Sequence, residues 1–135
     1  MSVLIDTSVL TRLREPSVRV RVDDLALVRE AIICDITMLE VGSSARNAQE
    51  FDSLMAHLRA LERVEVTPGD FDRALHTQRS LAERGHRGRK IPDLLIAAVA
   101  QRLGLTVLHY DHDFDLIAEC TGQSMQWVVA RGEIN

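Results

Sequence analysis

A chain of 135 residues, 46% apolar and 27% charged, is long enough to bury its own core, so residues 1–135 are expected to form one domain without a disulfide or metal staple. No stretch approaches the ~20 uninterrupted apolar residues of a membrane span, and Met1-Ser2-Val3-Leu4-Ile5-Asp6 lacks the positive leader of a signal peptide, so a cytoplasmic location is expected. The net charge of −4 excludes a nucleic-acid coat held by bulk positive charge but leaves room for a local basic strip.

Val3 to Ile5 is a short continuous apolar run closed by Asp6-Thr7-Ser8, the pattern of a strand covered on both faces and leading into a helix. A brief helix is predicted over Val9 to Arg14, stopped by Pro16. From Val18 to Arg29 the apolar positions Val18, Val22, Leu25 and Val28 recur at helical spacing. Ala31 to Cys34 reads as a second strand. Asp35-Ile36-Thr37 then opens a helix carrying Glu40, and Thr37 with Glu40 matches a capping box.

Phe51, Leu54, Met55, Leu58 and Leu61 stripe a further helix, and Val64-Glu65-Val66 is a third short strand. The turn Thr67-Pro68-Gly69-Asp70 starts a helix running to about Arg84, where Gly85 and Gly88 end it. Pro92 launches Asp93 to Leu103, apolar on nearly every side and therefore buried, with Gly104 as its cap. Thr106-Val107-Leu108 is a fourth strand, Asp111 to Asp115 turns into a last helix, and Trp127-Val128-Val129 adds an edge strand.

Strands that alternate with helices imply a three-layer α/β/α fold around a central parallel sheet of four or five strands, with ligands at its carboxyl edge. Asp6, Glu40, Asp93 and Asp111 all follow a strand or occupy a first helical turn, so they belong to that edge. Each alone is accounted for as a cap or a first-turn acid favoured by the helix dipole. Together they repel, since two charges at ~4 Å cost on the order of 4 kcal/mol at an effective dielectric near 20. A cation among them reverses the sign, and oxygen-only ligands select a hard ion, Mg²⁺ or Mn²⁺, over zinc.

Fifteen of the sixteen basic residues are arginine, and Arg84, His86, Arg87, Arg89 and Lys90 crowd a Gly-punctuated segment leading to Asp93. Guanidinium forks suit phosphate. A solvated loop accounts for them equally well. Cys34, in an apolar run, is read as a small core residue, and neither it nor Cys120 has zinc or disulfide spacing. His109 and His112 flank the acids and are assigned structural or peripheral roles, while His57 and His76 lie on predicted helices.

Val3-Leu4-Ile5-Asp6-Thr7-Ser8-Val9-Leu10, Thr37-Met38-Leu39-Glu40-Val41, Ile91-Pro92-Asp93-Leu94-Leu95-Ile96-Ala97-Ala98, and Leu105 to Leu108 leading to Asp111-His112-Asp113-Phe114 together resemble the PIN-domain fold, over essentially the whole chain. Within it the chain is similar to VapC-type toxin ribonucleases. The resemblance implies an acidic quartet of Asp6, Glu40, Asp93 and Asp111, with Asp113 as a nearby fifth acid and Thr7 and Ser8 at the small hydroxyl positions. It implies Mg²⁺, or Mn²⁺, held by Asp6, Asp93, Asp111 and Asp113, with Glu40 orienting or deprotonating the attacking water. RNA would be cut to 5′-phosphate and 3′-hydroxyl ends and contacted by Thr7, Arg87, Arg89 and Lys90.

Similar toxins are homodimers neutralised by a small VapB-type antitoxin, for which the apolar faces Val18 to Val28 and Phe51 to Leu61 are candidate contacts. Family members often carry Thr or Ser where this chain has His109. Two rivals remain: a phosphatase of the haloacid dehalogenase type, which wants a second acid where Ser8 stands, and a PIN-like interaction module that does not cut.

Overall fold

Val3-Leu4-Ile5 and Ala31-Ile32-Ile33-Cys34 are buried at every position, because helices cover both faces of the sheet they enter. The structure, a computed structural model describing residues 1–135, runs β1 (Val3–Ile5), α1 (Thr7–Leu10), α2 (Pro16–Leu27), β2 (Ala31–Cys34), α3 (Asp35–Ser43), α4 (Ala48–Leu58), β3 (Glu62–Val64), α5 (Pro68–Glu83), α6 (Ile91–Leu103), β4 (Thr106–His109), α7 (Asp113–Thr121) and β5 (Met125–Trp127). The five strands are all parallel, in the order β3-β2-β1-β4-β5. This is the three-layer α/β/α sheet that the strand-helix alternation predicts.

Side-chain alternation along the strands divides the core in two. Leu4, Ile32, Cys34 and Val107 face α5, α6 and α7, whose Leu81, Ile96, Val99, Phe114 and Ile117 complete that side. Val3, Ile5, Ala31, Ile33 and Leu108 face the other way, onto Val9, Val18, Val22, Val41, Met55 and Leu58 from α1 to α4. Helix α6 is buried from Leu94 through Ala100 and ends at Gly104, whose φ of 66° is the left-handed cap glycine adopts freely. Cys34 is a buried core thiol, as its apolar run predicts.

Several boundaries differ from the sequence reading, each for a local reason. The first helix is Thr7–Leu10, not Val9 to Arg14, because Asp6 caps it through the Ser8 N–H at 2.9 Å and so fixes its start. Pro16 does not merely stop what precedes it. It occupies the first turn of α2, where its missing N–H is no loss. Strand β3 is Glu62–Val64 and not Val64 to Val66. As an edge strand it pairs on one side only, so Glu62 and Arg63 face solvent while Val66 packs beside it on the core.

At the opposite edge β5 is Met125–Trp127, and Val128 leaves the ladder to donate to the His109 carbonyl at 2.9 Å. The Thr37–Glu40 capping box does not form. Helix α3 starts at Asp35, straight from β2, which puts Thr37 inside the helix with a buried, unpartnered hydroxyl. A capping box forms instead at Thr67 and Asp70 of α5, and Asp70 also holds Arg102 of α6 at 3.0 Å.

Candidate active site

The strand order reverses between β1 and β4, since β2 and β3 lie to one side and β5 to the other. In a parallel sheet the loops leaving two such strands part and open a crevice. Asp6 leaves β1 there, its N–H bound to the Leu108 carbonyl of β4 at 2.9 Å, and Asp111 follows β4. The first turn of α6 brings Asp93, and α3 brings Glu40. All four line one groove of about 610 Å³ with Thr7, Ser8 and Lys90.

Asp6 and Asp93 are 3% and 4% exposed, too little for water to solvate two carboxylates. One oxygen of Asp6 accepts from Ser8, but its Oδ1 and the Oδ2 of Asp93 have no hydrogen-bond partner. Burial, then the charge of Asp6, pushes the Asp93 carboxyl up to about 8. Burial also raises Asp6, against the Ser8 hydrogen bonds that oppose it. Two buried, unpartnered carboxylate oxygens are the donor chemistry that a hard cation satisfies.

Glu40 accepts a 2.7 Å hydrogen bond from the Thr7 hydroxyl, which aims it across the groove. Burial raises its carboxyl above the usual range, with Thr7 working the other way. Asp111 accepts from the Asp113 N–H at 2.9 Å and from Lys90 Nζ at 2.6 Å. Burial is the largest single influence and pushes Asp111 up, yet the hydrogen bonds from Lys90 and the Asp113 N–H, with the Lys90 charge, together outweigh it and hold the carboxyl below its ordinary value. Lys90 also lies 3.9 Å from Asp93, and Arg89 covers Asp113 at 2.9 Å.

Carboxylate oxygens of Asp93, Asp111 and Asp113 lie within 4.8 Å of one another, so these three could share an ion. Of the pair Asp111 and Asp113, it is Asp111 that faces the groove. Arg89 and Lys90, expected to grip substrate, are turned onto the acids and act as their counter-charges. Arg84 and Arg87 are exposed and do not line the groove.

His109 is fully buried between the rings of Phe114 and Trp127, at 5.1 and 5.0 Å. Its Nδ1 accepts the Asp111 N–H at 3.2 Å, and burial lowers its pKa to about 4, so a neutral ring props the turn that presents Asp111. Ser8 has no carboxylate to offer, and its hydroxyl accepts the Tyr110 N–H at 2.9 Å. Sequence reasoning missed the groove's other lining residues, among them Thr11, Arg12, Tyr110, Trp127 and Arg131. Tyr110 beside Asp111 was the one available signal.

A parallel 3-2-1-4-5 sheet with a carboxylate-lined crevice at its switch point defines the class of α/β fold. The family model for the PIN domain matches residues 3–119. Ribonuclease VapC51 of Mycobacterium tuberculosis is 54% identical over 132 residues, covering 98% of this chain and 96% of that protein. Ribonuclease VapC21 of the same species is 44% identical over 131 residues, 96% and 95% of the two chains. Among solved structures, VapBC2 from Rickettsia felis bound to a promoter DNA fragment superposes with a TM-score of 0.77 at 17% identity, over 94% of this chain and 98% of that one. The chain therefore belongs to the PIN-domain family, among its VapC-type members.

Proposed function

We propose that this chain is a Mg²⁺-dependent endoribonuclease, Mn²⁺ serving as well, and the toxin of a toxin–antitoxin pair that works in the cytoplasm. The observation that carries the reading is the pair of buried carboxylates, Asp6 and Asp93, each with an oxygen that accepts no hydrogen bond from the protein. Asp6, Asp93 and Asp111 are the residues to hold the ion, with Asp113 joining them once Arg89 turns away. A bound divalent ion supplies a water of lowered pKa and neutralises phosphate charge.

The chain's own residues supply the rest. Glu40, fixed by Thr7 and raised by burial, takes the proton of the attacking water. Thr7 keeps it aimed. Lys90 balances charge on Asp111 and Asp93, and the exposed Arg84 and Arg87 add positive charge that attracts a polyanion.

Relatives named ribonucleases support the reaction class. The partner is a VapB-type antitoxin, and the apolar groove of about 850 Å³ between α2 and α4, lined by Leu10, Leu13, Val22, Ala26, Leu54 and Leu58, suits an amphipathic segment of it. The active form is a homodimer. The test is direct: the purified chain cuts a structured RNA with Mg²⁺ or Mn²⁺, stops with EDTA, and fails as Asp6→Asn or Asp93→Asn. Undiminished cutting by those variants removes the acidic centre from the reaction.

A further inference from the structure

The cations beside the acids are already committed: Lys90 to Asp111, Arg89 to Asp113. A phosphodiester entering the groove needs others. Arg12 and Arg131 also line the groove, and of the two Arg12 is tied down, donating to the Ser8 carbonyl at 2.7 Å and to Asn135 O at 2.8 Å. Arg131 makes an ion pair with no carboxylate of the chain. Its guanidinium stands 5.8 Å from the Trp127 ring centre, with one Nη 3.2 Å from His112 Nδ1.

This placement is built. Glu133 N–H donates to the Ala130 carbonyl at 3.0 Å, closing a turn whose second and third residues are Arg131 and Gly132. Gly132 has φ 83°, which the third position of a type II turn requires and glycine permits. The Tyr110 hydroxyl pins the turn, accepting from Gly132 N–H at 3.0 Å and Ile134 N–H at 3.2 Å and donating to the Ile134 carbonyl at 2.6 Å. Tyr110 follows β4 and directly precedes Asp111, so the acid and the turn are referenced to the same stretch of backbone.

Trp127 is wedged edge-on against Tyr110, 5.3 Å away at 87°, and against His109, so it supports the guanidinium and is not free to stack a base. We infer that Arg131, held on the tail turn over Trp127, binds an RNA backbone phosphate next to the one at the acidic centre. The inference rests on the ribonuclease reading and deepens it. It assigns Arg131 to substrate binding and Tyr110 to positioning it. The contact is blind to sequence, because it is made to phosphate.

The test is fluorescence anisotropy of a labelled RNA hairpin with single-stranded flanks, titrated with the Asp93→Asn protein so that the RNA survives, at several salt concentrations. Adding Arg131→Gln weakens binding about tenfold and lowers the slope of log K against log salt by about 1. With Asp93 intact, Arg131→Gln raises KM by a similar factor while kcat stays within about twofold, and Mn²⁺ affinity by calorimetry is unchanged. Tyr110→Phe gives a smaller rise in KM and adds nothing to Arg131→Gln, which a merely structural role for the tyrosine does not produce. Equal affinity and equal salt slope with and without Arg131 overturn this inference alone. Failure of the chain with Arg131 intact to bind or cut RNA overturns the ribonuclease reading with it.

Discussion

Asp93→Asn separates the cost of the acidic centre from its use. In the metal-free protein the Asp93 carboxyl titrates at about 8 against an ordinary 3.8, a difference of about four units. At ~1.4 kcal/mol per unit this amounts to about 5 to 6 kcal/mol at most, and the groove's open side leaves about half after water and side chains adjust. The sign follows from proton counts. Between pH 4 and 8 the unfolded chain has lost the proton that the folded chain keeps, so rising pH favours unfolding. The stability attached to this group is fully present below pH 3.8 and gone once pH passes about 8.

Asparagine has the shape of the protonated carboxyl and does not titrate. Thermal melts in EDTA therefore coincide for the two proteins below about pH 4 and diverge as pH rises, with Asp93→Asn more stable by about 3 kcal/mol, or about 10 °C, at pH 8. Saturating Mn²⁺ stabilises the unaltered chain by mass action and closes the gap, while the variant gains little. Parallel melting curves across pH, or equal stabilisation of both by Mn²⁺, refute a charge-burdened site relieved by a cation.

Thr7→Val removes the 2.7 Å bond that aims Glu40 and is expected to lower kcat about tenfold in RNA cleavage, with Thr7→Ser restoring most of it. Lys90→Met frees Asp111 from a competing cation, so Mn²⁺ binding measured by calorimetry tightens about two- to fivefold; unchanged or weaker binding contradicts the counter-charge role. Asp70→Asn breaks the fully buried carboxylate's pairing with Arg102 and costs about 3 kcal/mol in urea unfolding at pH 7. Burial is the largest single influence, but Arg102 and the two Thr67 hydrogen bonds together outweigh it and hold Asp70 below its ordinary 3.8, so that deficit is full above pH 4 and shrinks on further acidification.

Parallel sheet, strand centres and acidic positions were legible because burial on both faces writes continuous apolar runs, and because helix caps and first turns concentrate acids where ligands gather. Val3 to Ile5, Ala31 to Cys34 and the α6 helix follow from composition alone. Edge strands were misplaced by two residues, since Glu62-Arg63-Val64 and Met125-Gln126-Trp127 satisfy backbone pairing without an apolar pattern. Thr37 with Glu40 showed the limit of motif reading. The spacing fits a cap, but the strand hands over to the helix three residues earlier and leaves Glu40 for Thr7. Arg131 carried no local signal at all, because its position is set by Tyr110, 22 residues before Gly132.

Strand β1 lies mid-sheet, and one of its edges stays open until residues 106–109 emerge from the ribosome. A nascent or prematurely terminated chain thus carries Asp6 without Asp111, and the tail turn comes later still. For an enzyme proposed to attack its host's own transcripts, synthesis itself is a safety interval: cutting power arrives only after β4 and Asp111 have emerged, by which time a co-expressed neutraliser can be waiting.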